Sequence, residues 1–353
     1  MTHSIITGTG SYIPGRIVDN SHFLENEFYT INQKKIEKSN QEIIEKFQDI
    51  TCIRERRYAD DSLSTSDIAY EAAKIALEGI DRETLDGIIV AHNYGNVQPG
   101  GVRVDLCPSL AARVKHRLGI ENPFTVAFDV PFGCPGWLHG MIIADYYIKS
   151  GDAKKVLVIG AEILSRVIDP HDIDCMIFAD GAGAVVVEAT EEDRGILSHV
   201  TRSDTKDAVH MIWNGRSYDP NYKGDEIYLK MHGHDIYKYA LKHVPETVKM
   251  SLDKVGMTLT DVKKVLIHQA NEKMDRAILK NIFKLYRVKD IPEHIMPMTI
   301  AWLGNTSVAT LPTMFDLLQR GELNNHVLHS GDIAVFASVG AGMNINSMVY
   351  RMP

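Results

Sequence analysis

Two stretches half a chain apart share one pattern, and this repeat constrains the fold more than any other feature of the sequence. Ile80–Ala91 (IDRETLDGIIVA) and Met257–His268 (MTLTDVKKVLIH) each pass from a polar connector into a short apolar segment, with an offset of 177 between positions 91 and 268. Val156–Gly160 (VLVIG) falls on Ile333–Ala337 (IAVFA) at the same offset, in a chain of 353 residues. A period of half the length points to a duplicated unit. The expectation is two similar halves, 1–190 and 191–353, joined near Glu188–Gly195, where Glu191-Glu192-Asp193-Arg194 interrupts the apolar pattern.

Each half alternates helix and strand patterns. Ser64-x-x-Asp67 has capping-box spacing, and Ile68, Ala69, Ala72, Ile75 and Ala76 then fall on one helical face. Leu85–Ala91 is almost wholly apolar, as a strand buried on both faces must be, and Val126–Val130, Val156–Gly160, Val265–Ile267 and Ile333–Phe336 read the same way. Gly136–Ser150, Asp235–Lys254, Glu272–Tyr286 and Ser307–Arg320 carry helical spacing. The fold class is therefore α/β.

Charge and cysteine content narrow the function. The 46 acidic residues exceed the 38 basic ones, a formal −8, so no global positive field is present to hold nucleic acid. Ile295–Phe315 is uncharged and long enough to span a bilayer, but Pro297, Gly304, Asn305, Thr306 and Pro312 break it, so no membrane span is expected. Met1-Thr2-His3-Ser4 lacks the basic start of a secretory signal. Cys52, Cys107, Cys134 and Cys175 have neither C-x-x-C spacing nor the density of a disulfide framework. A cytoplasmic enzyme is the expectation.

Among the four cysteines, Cys134 stands apart. It lies between the strand Val126–Val130 and a helix opening at Pro135-Gly136-Trp137, which makes it the expected helix N-cap, with Pro135 at the first helical position. Free backbone N–H groups and the positive end of the helix dipole would favour thiolate there. For Cys52, Cys107 and Cys175 the plain reading is a small packing residue. His268 ends a strand and opens His-Gln-Ala-Asn before a helix, at the sheet edge where α/β proteins place ligands. Asn305, within Leu303-Gly304-Asn305-Thr306-Ser307, also precedes a helix. Each alone fits a structural histidine or turn chemistry. Together they form a nucleophile with two polar partners.

Phe132-Gly133-Cys134-Pro135-Gly136, Phe178-Ala179-Asp180-Gly181-Ala182-Gly183-Ala184, His268-Gln269-Ala270-Asn271 and Gly304-Asn305-Thr306-Ser307 occur in the order of the motifs of β-ketoacyl-ACP synthase III. The chain resembles this condensing enzyme of the thiolase superfamily from near Ile5 to near Arg351. The resemblance implies a thiolase-like five-layer αβαβα fold of two similar halves, working as a homodimer. It implies that Cys134 takes the acyl group from an acyl-CoA or acyl-ACP primer. His268 and Asn305 would hold the thioester carbonyl of malonyl-ACP as carbon dioxide leaves, and the backbone N–H groups of Cys134 and Ala341 would form the oxyanion hole. The product would be a 3-oxoacyl-ACP, for fatty-acid initiation or a related specialised lipid pathway. CoA and ACP phosphopantetheine thioesters would be the substrates, with no metal or redox cofactor.

The departures from the family pattern bear on the primer. Family members that use acyl-CoA clamp the adenine between a Trp and an Arg. Here Phe47–Ile53 contains no Trp, and Ile173 stands where Arg is expected. Asn93–Asp105 is longer than the usual connection near the dimer interface and acyl tunnel, so a different acyl chain is expected. Lys273, Arg276, Lys280, Lys284 and Arg287 form a basic run at mostly helical spacing after His268. A solvated face would explain it. In the family, this helix docks acyl carrier protein, so Lys273, Arg276 and Lys280 are the candidate docking residues.

Other readings compete. A papain-like cysteine protease also runs Cys, His, Asn, but places its Cys near the mature N-terminus. Gly8-x-Gly10 and Gly181-x-Gly183 hint at a nucleotide loop, yet neither completes G-x-G-x-x-G. His232-x-His234 lacks a third metal ligand at a sensible spacing. Within the superfamily, head-to-head and resorcinol- or pigment-type condensing enzymes share Cys and His, and Gly304-Asn305-Thr306-Ser307 favours the synthase III branch.

Overall fold

Strands buried on both faces need helices on both sides, and the chain meets this need twice. The computed structural model describes residues 2–353. One sheet contains β1 (His3–Tyr12), β2 (Gly87–His92), β3 (Val126–Pro131), β4 (Lys155–Ile163) and β5 (Asp180–Thr190), in the order β1-β5-β4-β2-β3. The other contains β6 (Gly195–Ser203), β7 (Val262–Ile267), β8 (Ile333–Gly340) and β9 (Asn344–Arg351), in the order β6-β9-β8-β7. The pairing senses match from sheet to sheet. β1–β5 and β5–β4 are antiparallel and β4–β2 is parallel, just as β6–β9 and β9–β8 are antiparallel and β8–β7 is parallel. The repeated segments therefore occupy equivalent places, β2 with β7 and β4 with β8. Beyond β7, Val265 N–H donates to Ile295 O at 2.9 Å, so a turn rather than a fifth strand lies where β3 stands in the first sheet.

Among the described residues, seven helices of nine residues or more complete the layers: α1 (Asn40–Thr51), α2 (Thr65–Ala76), α3 (Leu110–Leu118), α4 (Gly136–Ser150), α5 (Gly233–Asp253), α6 (Glu272–Leu285) and α7 (Thr310–Gln319). α2 and α3 cover the outer face of the first sheet, α5 and α6 that of the second, and α4 and α7 lie between the sheets. The result is a five-layer, thiolase-like αβαβα arrangement. Trp137, Met141, Phe315, Phe336 and Tyr350 fill the middle layer. Trp137 is 1% exposed, so Trp137→Ala is expected to cost about 3–5 kcal/mol in an unfolding titration. Polar ties cross the same layer: Tyr350 Oη accepts from Ile6 N–H at 2.8 Å, and the Asp316 carboxylate of α7 accepts from Thr9 and Ser11 hydroxyls at 2.8 and 2.6 Å.

Several expectations need correction. β3 is not buried on both faces. It is an edge strand with Val126 60% exposed, and Phe124 just before it is 83% exposed. The helix expected over Ser307–Arg320 begins as a single tight turn, Ser307–Ala309, and becomes α-helical only at Thr310. Gly8 and Gly10 form no nucleotide loop. They lie within β1, where a methyl group at Gly10 would meet Ala72 O and Ala76 N of α2 at 2.5 Å, so they allow the helix to approach the strand. The capping box Ser64–Asp67 does form, and a second, Ser39–Glu42, starts α1, which the periodicity had not revealed. In Asn93–Asp105, a short hairpin pairs Asn96–Val97 with Val104–Asp105.

Candidate active site

Cys134 sits in the four-residue connection, Phe132–Pro135, that turns the end of β3 into α4. The helix begins at Gly136 with Pro135 as its N-cap, so Cys134 lies one residue earlier than the sequence implied. The first i→i−4 bond runs from His139 N–H to Pro135 O at 2.9 Å, which leaves Pro135 just outside the helix. The thiol is not poised as a thiolate either: burial pushes it up to about 11, which outweighs the favourable hydrogen bond from Ser307. A dipole at a helix end is worth about 0.3–1 kcal/mol when exposed, and desolvation of a buried charge exceeds it.

His268 extends β7 by one residue, its N–H donating to Ala337 O at 2.9 Å. The ring is buried, and burial lowers its pKa to about 4, so it is neutral at physiological pH. The next residue, Gln269, fixes the approach to Asn305. Its Oε1 accepts from Thr299 N–H at 2.8 Å and Ile300 N–H at 3.0 Å, and its Nε2 donates to Pro297 O at 2.8 Å. Asn305 is held by backbone bonds to Ile177 and Ala179 at 2.9 Å each. Its Oδ1 accepts from Ser307 N–H at 2.8 Å, which leaves the amide nitrogen as donor.

Cys134, His268 and Asn305 line one small cavity of about 60 Å³, together with Asn93, Ser307 and Ala341. Two come from the second half of the chain and one from the first. The turn after β8 presses its backbone against Cys134: a methyl group at Gly340 would lie 2.6 Å from Cys134 N, so any other residue would push the two segments apart. Asn344 Nδ2 donates to Ala341 O at 2.9 Å and fixes that carbonyl, while Ala341 N stays close to Gly133. Cys134 and Ala341 thus both line the cavity, with their backbones packed against each other through Gly133 and Gly340.

Asn93, Glu162 and Ser307 belong to the site but carried no assigned role in the sequence. Ser307 Oγ lies 3.2 Å from Cys134 Sγ, and its backbone has φ +51°, a strained value for a non-glycine residue. Glu162 is buried at the end of β4, and burial pushes its carboxyl up to about 7. An acid inside the apolar run Val156–Ile163 is the sequence signal that could have found it.

The other named residues lie around this centre. Cys52 caps the C-terminal end of α1, Cys107 is exposed and Cys175 is buried, and none of the three lines the cavity. Lys273, Arg276 and Lys280 are exposed on α6, where Arg276 pairs with Glu272 at 2.7 Å. A larger cavity of about 700 Å³ adjoins the small one through Met231 and is lined by Lys46, Phe47 and Ile50 of α1, with Ile173 and Tyr237. No Trp lines it.

Known proteins are similar to this chain along its length. Residues 128–205 match the family described as 3-oxoacyl-(acyl-carrier-protein) synthase III, and residues 252–352 match its C-terminal domain. A β-ketoacyl-(acyl-carrier-protein) synthase III of Halalkalibacterium halodurans is 33% identical, over 99% of each chain. Among solved structures, the 3-oxoacyl-(acyl-carrier-protein) synthase III of Aquifex aeolicus is 28% identical with a TM-score of 0.78, covering 99% of both chains. That of Pseudomonas aeruginosa is 26% identical with a TM-score of 0.80, covering 99% of this chain and 98% of its own.

Proposed function

This chain belongs to the 3-oxoacyl-(acyl-carrier-protein) synthase III family, and on that premise we propose how its residues divide the work. The reaction is a decarboxylating condensation of an acyl primer with malonyl-ACP, the acyl transfer that begins fatty-acid synthesis. The protease reading falls with the family assignment. The carrying observation is that Cys134, His268, Asn305 and Ala341 line a single cavity.

Cys134 sulfur attacks the primer thioester. A new sulfur–carbon bond forms, and the departing pantetheine thiol takes the proton. Malonyl-ACP then enters, the bond to its carboxylate breaks, and the electron pair flows into an enolate as carbon dioxide leaves. Neutral His268 and the Asn305 amide donate to the enolate oxygen. The carbanion attacks the acyl carbon, the N–H groups of Cys134 and Ala341 hold the tetrahedral oxyanion, and its collapse releases Cys134 thiolate and the 3-oxoacyl-ACP. Every step is thioester chemistry performed by these groups, with no metal or redox cofactor.

For the primer, we favour acyl-ACP over acetyl-CoA. The large cavity offers Ile173 and no Trp, so an adenine there lacks both an indole to stack on and a guanidinium, contacts worth roughly 0.5–2 kcal/mol each. A carrier needs no adenine site, and Lys273, Arg276 and Lys280 offer an acidic carrier a surface that weakens with salt. Lys280→Glu should slow ACP-dependent turnover several-fold while leaving acylation by a small acyl-pantetheine thioester unchanged. A kcat/KM for acetyl-CoA above that for matched acyl-ACP would overturn the preference.

The exposed edge strand supports a homodimer. Phe124 and Val126 present apolar surface beside unpaired backbone, and Leu106 is 64% exposed. Phe124→Glu should shift the sedimentation coefficient from dimer toward monomer. A cytoplasmic location follows from the same reading, since its carrier-bound substrates are made there and its four cysteines are free.

A further inference from the structure

The hydrogen bonds behind Cys134 have a fixed direction. Asn93 Nδ2 lies 2.8 Å from Ser307 Oγ and 2.5 Å from Glu162 Oε1, and an amide nitrogen can only donate. Both of its hydrogens are therefore committed, one to the serine and one to the carboxylate. Flipping the amide would bring its oxygen against the Glu162 oxygen, so Glu162 enforces the orientation. Asn93 backbone N–H also donates to Glu162 Oε1 at 2.5 Å. Ser307 Oγ has a single proton. Because it accepts from Asn93, that proton is left to point at Cys134 Sγ, 3.2 Å away.

We propose that Glu162, Asn93 and Ser307 form a one-way hydrogen-bond chain that presents the Ser307 hydroxyl proton to the Cys134 sulfur and stabilises its thiolate. Asn93 and Glu162 are positioning residues, and Ser307 touches the reacting atom. The proposal rests on Cys134 being the nucleophile and deepens that reading by naming what helps it ionise. The group it serves needs help, since burial drives the thiol up and the Ser307 bond is the leading influence that brings it down. Two titratable groups act near the sulfur: His268, which lines the cavity and is neutral, and Glu162, which lies behind Asn93 and whose charge opposes ionisation. Glu162 therefore contributes through orientation. With its carboxyl pushed up to about 7, Glu162 is largely ionised at pH 8 and its charge works against the thiolate, while its Oε1 accepts from Asn93 in either protonation state.

The strained backbone of Ser307 fits this role. A φ of +51° is strained in a residue with a side chain, and here it accompanies a hydroxyl that lies 3.2 Å from the sulfur. Glycine would adopt the same backbone without strain but would carry no proton to donate.

The test measures alkylation of Cys134 by iodoacetamide in the intact protein at a fixed pH near 8, mapped by peptide mass. The reagent forms a sulfur–carbon bond, iodide leaves, and the thiol proton goes to buffer, so no substrate or carrier is involved. A hydrogen bond to a charged group contributes about 1.5–3 kcal/mol, which corresponds to about 10- to 100-fold in thiolate fraction. Ser307→Ala and Ser307→Gly should both slow Cys134 alkylation by about that factor. Agreement between them excludes backbone strain as the cause. Asn93→Leu should slow it less, and Asn93→Leu combined with Ser307→Ala should be no slower than Ser307→Ala alone, because the chain acts only through the serine. Unchanged alkylation in Ser307→Gly, or additive effects of the Asn93 and Ser307 changes, would overturn the proposal. Acylation by primer at another cysteine would overturn the nucleophile assignment instead, and peptide mapping separates the two outcomes.

Discussion

Replacing Cys134 with alanine is expected to leave a folded protein that forms no acyl adduct and yields no 3-oxoacyl product, a loss of about a thousandfold or more. The fold should survive because the change removes one sulfur from the wall of a cavity of about 60 Å³ and leaves the middle layer around Trp137 and Phe336 intact. Intact-protein mass after incubation with acyl-CoA and acyl-ACP donors reads the result, and an adduct that persists in Cys134→Ala would move the nucleophile elsewhere. His268 and Asn305 remain in this variant, so malonyl-ACP should still lose carbon dioxide without condensing. The pH profile carries a sign as well. A buried thiol held near 11 ionises more as pH rises, so self-acylation should accelerate about tenfold per pH unit through the neutral range.

His268→Ala is expected to have the opposite selectivity: the acyl-enzyme forms, while decarboxylation and condensation fall by about a hundred- to a thousandfold, the usual effect of removing one donor to a developing oxyanion. The physical basis is the neutral ring. An imidazole lowered to about 4 by burial is a poor base for a thiol near 11, but its N–H is a good donor to an enolate oxygen. Single-turnover acylation measured beside carbon dioxide release separates the steps, and equal loss of both would make His268 the base for Cys134. Because His268 is neutral above about pH 4 and keeps its N–H even when protonated, its donor role should be independent of pH through the neutral range. Asn305→Ala should resemble His268→Ala, with a further loss if Ser307 loses its backbone anchor on Asn305 Oδ1.

Most strands legible in the sequence were those buried on both faces, with the edge strand β3 the exception. β2, β4 and β8, and β7 from Val265 onward, carry nearly unbroken apolar runs because helices cover both sides, and the shared 177-residue offset survives because those strands occupy matching places in the two sheets. β1, β5, β6 and β9 were not distinguished, since small and polar residues interrupt their apolar patterns, even in β5 and β9, which are largely buried. Cys134, His268 and Asn305 could be read because each stands at a junction between a strand or loop and a helix, and junctions leave local marks: a proline, a glycine, a polar residue after an apolar run.

The sequence alone thus determined the duplication, the α/β class and which three side chains to watch, because these depend on local order along the chain. Only the tertiary structure decided their state. Burial is a sum over distant neighbours, and it turned an expected thiolate into a thiol near 11 and an ordinary histidine into a neutral donor. The direction of the proton on Ser307 likewise depends on Asn93 and Glu162, which lie 214 and 145 positions away in the chain. Hydrogen-bond polarity passes through space from acceptor to donor, and no local pattern in the sequence records it.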